Sequence, residues 1–284
     1  MKTITRIFVL FITFSTFSQV KSNFEKYDQL VWKAMIQFKD EEYEDALKNF
    51  QNAFAILPSE SEDDYFYAAA AALHSKDNAE AKRLIIESIK LVNTSNYYFL
   101  NFEEFDSFRN EKLFEEIAAN YIQYQTSFLS NIANPDIYKE VESLIQKDQD
   151  VRNNGGDIWS IDEQNSNRLI EITKEYGWQK KGWLILWHQR GTYNNSNYVW
   201  SFFKPYIDNQ ISEGKLRKDF WARFDDEKSI DEKKTQIYGM YWSQYKEFPI
   251  EDIDNVDKRR ASVGLPPLHY MHKVYGIELP QEYK

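Results

Sequence analysis

In EEYEDALKNFQNAFAILP, residues 41–58, the side chains Tyr43, Ala46, Phe50 and Ala53 fall at gaps of three, four and three. That spacing places them on one face of an α-helix. Ala46 and Ala53 are small enough to let a second helix approach closely, and Phe50 fills the groove between them. The pattern returns in NAEAKRLIIESIKLV, where Ala81, Ile85 and Ser88 stand 35 residues after Ala46, Phe50 and Ala53. A helical face repeated at that period cannot bury itself alone, so it commits the chain to stacked helix pairs.

The set resembles the second helix of a tetratricopeptide repeat, with residues 27–38 as its first helix and a repeat period of about 34 residues. DDYFYAAAAALHSK opens the second repeat. The following NYYFLNFEEFDSFRNEKLFEEIAANY resembles the tail that closes such arrays, with a capping helix at 111–121. Two repeats and a cap are therefore expected over 24–122. The resemblance implies a concave groove that holds a protein or peptide partner; the alternative is an array that only supports the next domain.

The first eighteen residues, MKTITRIFVLFITFSTFS, carry Lys2 and Arg6, an apolar run over 7–17, and Thr16 and Ser18 ahead of a cut. This pattern predicts a secretory signal peptide over 1–18, cut after Ser18 or as late as Ser22. The run is short of the about 20 residues that a spanning helix needs, so no membrane span is expected after its removal. The chain has no cysteine, which excludes disulfides and thiolate-bound zinc. Net charge is −10, and −12 once Lys2 and Arg6 are gone, which argues against nucleic acid and anionic membranes as partners. No cofactor or metal is implied.

Helical periodicity fades in QTSFLSNIANPD, residues 125–136, and marks a boundary. Beyond it helices are expected at 136–152, 161–176, 182–190, 197–213 and 215–245, the last with a break. Seven of the eight tryptophans lie there, so a second core is expected and an all-α domain is assigned to 135–284. In order, DQDVRNN, NRLIEITKEYGW, WLILWHQ, QIYG and NVDKRRASVGLPPL resemble an uncharacterised bacterial domain family, over about 148–270. The family's Thr-Gln after Tyr-Gly is here Met240-Tyr241, its Gln before the His is Trp187, and its Asp-Arg pair is Ala222-Arg223 with a longer loop before Gln236. The resemblance implies an order of motifs and no reaction.

VDKRRASVGLPP, from Val256, reads as a short helix with Asp254 as N-cap and Asp257 in its first turn. Gly264 stops it and Pro266-Pro267 forbids continuation. Val256 and Val263 form its apolar stripe, flanked by Arg259 and Arg260, whose guanidinium groups need acceptors because an unpaired buried charge costs several kcal/mol. Either they pair with Asp148, Asp150 or Glu171, or one of them faces a cleft and grips an anion. His188, on a helix apolar nearly all round, is a candidate base with Asp150 as its partner. Arg152, Gln236, Tyr238 and Asp257 complete a candidate polar network, and Gly239 permits close backbone approach. His269 and His272 share a helical face but lack a third ligand. Aromatic residues, 17% of the chain, can stack on sugars, yet Trp183 and Trp187 stand four apart like core residues.

The expectation is an exported all-α protein, a short repeat array joined to a helical domain, that binds a protein or peptide partner through the array groove. The alternative is a hydrolase-like enzyme built on Asp150, His188 and Arg260.

Overall fold

The computed structural model describes residues 22–193 and 195–284; the expected signal segment lies outside them. Among the described residues the chain is all-α, and its one extended pairing is a parallel bridge between Gln236 and Ile250. No described helix is long and apolar enough to cross a membrane.

Helix α1 (Asn23–Lys39) starts at a reciprocal cap. Ser22 Oγ accepts from the Glu25 amide, and the Glu25 carboxylate accepts from the Ser22 amide, both at 3.2 Å. Helices α2 (Tyr43–Ile56), α3 (Glu62–His74) and α4 (Asn78–Val92) follow as antiparallel neighbours in sequence order. Ala46, Phe50, Ala53, Ala81, Ile85 and Ser88 are all fully buried between them, as their spacing predicts. Over Ala68 to Ala72 helix α3 is enclosed on every side, and methyl-sized side chains let α2 and α4 approach it closely.

Helix α5 (Asn96–Asn101), a 3-10 turn at Glu103–Phe108 and helix α6 (Lys112–Asn131) close this first core. Phe66, Phe99, Phe102, Phe105 and Phe114 pack there with ring centroids 4.9 to 6.4 Å apart. The boundary expected at 125–136 begins later, because α6 runs on to Asn131. Phe128, seven residues after Tyr121, keeps one face buried, and the hydroxyls of Thr126 and Ser127 bond back to the Ile122 and Tyr124 carbonyls.

A second, tryptophan-rich core is built by α7 (Pro135–Asn154), α8 (Ile158–Tyr176), α9 (Trp183–His188), α10 (Tyr198–Ser212) and α11 (Ala222–Lys233). Trp200, Phe203 and Phe224 are its largest sealed residues, and Trp183 stacks on Trp187 at 5.3 Å. The helix expected over 215–245 is realised only as α11. Lys234 turns left-handed at its end, and the backbone from 237 to 240 is drawn to a side chain instead of continuing the helix.

Two short helices finish the chain, α12 (Val256–Ser262) and α13 (Leu268–Tyr275). Helix α13 does not stay with the second core. Tyr270 and Val274 are buried in the first one, with the Tyr270 ring tilted against Trp32 at 6.1 Å and Lys273 paired with Asp40. One flank of α1 is therefore covered by the chain's own last helix.

Candidate functional site

The sequence motifs at 236–241 and 256–265 converge on one loop, and the residue that organises it is Asp226. Its carboxylate, on α11 and fully buried, accepts the backbone amides of Ile237 at 2.6 Å, Tyr238 at 2.8 Å and Met240 at 2.7 Å. Burial still pushes its pKa up, against the three amides that lower it. Gln236, also fully buried, locks the loop a second time: its amide group donates to the Tyr241 and Phe248 carbonyls and accepts from the Tyr241 amide. Gly239 takes φ +72°, and a Cβ there would lie 2.5 Å from Ile250 Cδ1.

The two arginines bind this loop through its carbonyls. Arg259 Nε donates to Ile237 O at 3.0 Å, and its Nη atoms reach the Glu251 and Asp252 carbonyls and the Asp252 carboxylate. Arg260 Nε donates to Pro266 O at 2.5 Å and Nη1 to Tyr238 O at 2.6 Å. The expected partners Asp148, Asp150 and Glu171 are not used, because α7 and α8 belong to the other core. Asp254 does not cap α12, which starts after Asn255. Asp257 spans to the next elements, accepting the Leu268 amide at 2.9 Å and the Tyr283 hydroxyl at 2.6 Å. Tyr238 contributes its backbone to this network.

His188 lies elsewhere, and its acid is Asp148 rather than Asp150. Nδ1 is 2.5 Å from Asp148 Oδ2, off the hydrogen-bond axis. Asp148, 1% exposed, is also held by Arg152 at 2.8 Å and by Gln149, while Arg152 reaches on to Asp162 at 2.7 Å. Residues four apart on a helix share a face, which puts Arg152 over Asp148 and turns Asp150 outward to Gln146, at the edge of a shallow open hollow. Asp150, His188 and Arg260 therefore belong to three different places, and no shared site joins them. His269 is exposed and His272 Nδ1 faces Ile277 O at 2.9 Å. No cluster of three metal-binding side chains forms among the described residues.

Arg260 lines a cleft of about 720 Å³, which lies between the first helices and the C-terminal segments. One wall comes from α1 and the start of α3, with Tyr27, Asp28, Trp32, Asp63 and Asp64. The other carries Arg217, Asp219, Met240, Trp242, Tyr245 and Tyr270. Burial raises three acids of this cleft. Asp28 is pushed up to about 6 against the pull of Arg217, to which it is bonded. Asp64 is raised although Tyr27 and Ser59 donate to it at 2.6 and 2.9 Å, and Asp219 is raised although Arg217 lies near. Burial also lowers the Arg260 guanidinium. A cleft that perturbs several ionisable groups by desolvation is the physical signature of a site.

Sequence reasoning reached Arg260 here and missed Asp28, Asp64, Arg217, Asp219 and Tyr270. They come from four separated segments, and only Arg217 and Asp219 are neighbours in sequence. No protein-family model, curated protein or solved structure matches the chain.

Proposed function

We propose that the chain is an exported binding protein that holds a small polar ligand in the cleft between a short tetratricopeptide-like array and a C-terminal helical unit. The observation that carries this reading is the cleft itself. It has about 720 Å³ of space, aromatic side chains on both walls, and buried charges at its surface. Ligand sites span roughly 300–1,000 Å³ and combine apolar walls with a few convergent polar groups. The array supplies one wall instead of an open groove, since α13 lies against α1. Export follows from the charged, then apolar, N-terminal sequence, and a cut after Ser18 keeps the Ser22 cap of α1 on the mature chain.

The test is to obstruct the cleft without removing a hydrogen bond. Ser61 lines it and its hydroxyl caps nothing. Native mass spectrometry of the whole chain against peptide and saccharide mixtures identifies what is retained. Ser61→Trp is expected to abolish that retention with the fold intact by circular dichroism. Full retention by the variant would remove the cleft from consideration.

A further inference from the structure

Arg260 is 2% exposed, yet no carboxylate among the described residues pairs with it. Its Nε and one Nη1 hydrogen are spent on the Pro266 and Tyr238 carbonyls, which leaves the other Nη1 hydrogen and both on Nη2 without an acceptor among the described residues. Nη2 is not a sealed atom, and Arg260 is one of the residues that line the cleft. The acids whose charge reaches it are turned elsewhere. Asp226 accepts three backbone amides, and Asp257 accepts the Leu268 amide and the Tyr283 hydroxyl.

Asp219 is the converse. It lines the same cleft, half-buried, and no other described residue donates a hydrogen bond to its carboxylate. Its neighbour Arg217 is bonded to Asp28. A cation and an anion thus share one cleft without pairing with each other, each desolvated and each short of a partner.

We propose that this cleft binds a short free peptide as a zwitterion, its carboxylate on Arg260 and its ammonium on Asp219. The inference rests on the cleft being a binding site and names what enters it. A simple anion satisfies Arg260 but meets Asp28, Asp63, Asp64 and Asp219 along the walls. A simple cation leaves Arg260 unpaired, and a neutral sugar leaves both charges unpaired. Trp32, Trp242, Tyr245 and Tyr270 provide apolar surface for the body of the peptide and ring faces that favour an ammonium group. The cleft is too large for a single amino acid to fill, which selects a peptide.

The experiment titrates the full chain by calorimetry with a pool of free tripeptides, the same pool acetylated at the amino end, the same pool amidated at the carboxyl end, and chitotriose as a neutral saccharide. The free pool is expected to bind at least about tenfold more tightly than either blocked pool, since each block removes one charge-assisted contact. Asp219→Asn is expected to erase the difference between free and acetylated pools and to keep the difference between free and amidated ones. The Asp219 carboxylate takes no hydrogen bond from another described residue, so this variant tests the idea even where Arg260→Lys fails to fold. Equal affinity for all three pools, no peptide binding, or an unchanged free-to-acetylated ratio in Asp219→Asn overturns the zwitterion. Chitotriose bound in place of peptide also overturns it while leaving the cleft as the site. Free-peptide binding that survives Ser61→Trp overturns the cleft as well.

Discussion

Asp226→Ala tests whether one carboxylate shapes the cleft wall. The side chain is fully buried and takes three backbone amides, from Ile237, Tyr238 and Met240. Each buried donor left unpaired costs about 1–3 kcal/mol. Those three residues are only partly buried, so water can reach their backbone after the change and the lower end applies, about 1 kcal/mol each. Against this stands the relief of burying one charge less, since burial dominates the raised pKa of Asp226. The net loss is about 2–3 kcal/mol. Asp226→Asn separates the contributions: it removes the charge but keeps one oxygen for Ile237 and Tyr238, and turns an NH₂ against the Met240 amide. It should cost about 1–2 kcal/mol. Urea unfolding reads the total, and hydrogen exchange reads the amides of 237, 238 and 240. Those amides should lose protection in both variants while the α2 and α4 amides keep theirs, and peptide affinity should fall because Met240 and Trp242 line the cleft. Wild-type stability in Asp226→Ala, with the three amides still protected, would refute the reasoning.

Gly239→Ala should cost about 1–2 kcal/mol from its left-handed backbone, with a further contribution from Ile250 Cδ1 at 2.5 Å; pairing it with Ile250→Val should recover only the second part in thermal melts. Asp148→Ala should cost about 3–5 kcal/mol by leaving His188 and Arg152 short of a buried partner, whereas Asp150→Ala, four residues from Gln146 at the surface, should stay within about 0.5 kcal/mol in the same denaturation assay. Asp28 has a folded pKa of about 6 against an ordinary 3.8, so the folded state holds the extra proton. Its stabilising contribution is complete below about pH 4 and is lost as pH rises through 6, a swing of about 2–3 kcal/mol. Unfolding free energy should therefore rise between pH 7 and pH 5, with a shallower slope in Asp28→Asn; a fall over that range contradicts the assignment.

The helices were legible wherever one face repeats at helical spacing, as with Ala46, Phe50 and Ala53 or Ala81, Ile85 and Ser88, because burial of a periodic face is a local property. The end of α6 was not, since Phe128 holds the helix together only through residues brought against it from elsewhere. Arg259 and Arg260 were legible as side chains that need acceptors, but apart from the Asp252 carboxylate their acceptors are carbonyls of 237, 238, 251, 252 and 266, and a carbonyl leaves no mark in a sequence. Asp226 escaped notice for a related reason. Its partners are backbone amides, and in DDEKSIDEKK it looks like one surface acid among several. His188 was placed near an acid two residues from the right one: Asp148 and Asp150 differ by about 200° around the helix, and the choice between them depends on which face α7 turns to α9.

What joins the two halves is decided by comparing charge with apolar burial. Arg217–Asp28, Lys218–Glu25, Lys180–Glu60 and Lys273–Asp40 all cross the junction. In the last two, every partner is more than 40% exposed, and such pairs contribute about 0–1 kcal/mol each and fade with salt. Helix α13 brings Tyr270 and Val274 to 3% and 5% exposure against α1, and full burial of side chains of this size contributes about 1.5–3 kcal/mol apiece. The apolar contribution therefore exceeds that of these two exposed pairs, and it does not depend on screening. Exchange protection of the α13 amides should survive 1 M sodium chloride and collapse in Tyr270→Ala. The opposite pattern, lost in salt and retained in the variant, would mean that ion pairs hold the cleft walls together, and that its width varies with ionic strength.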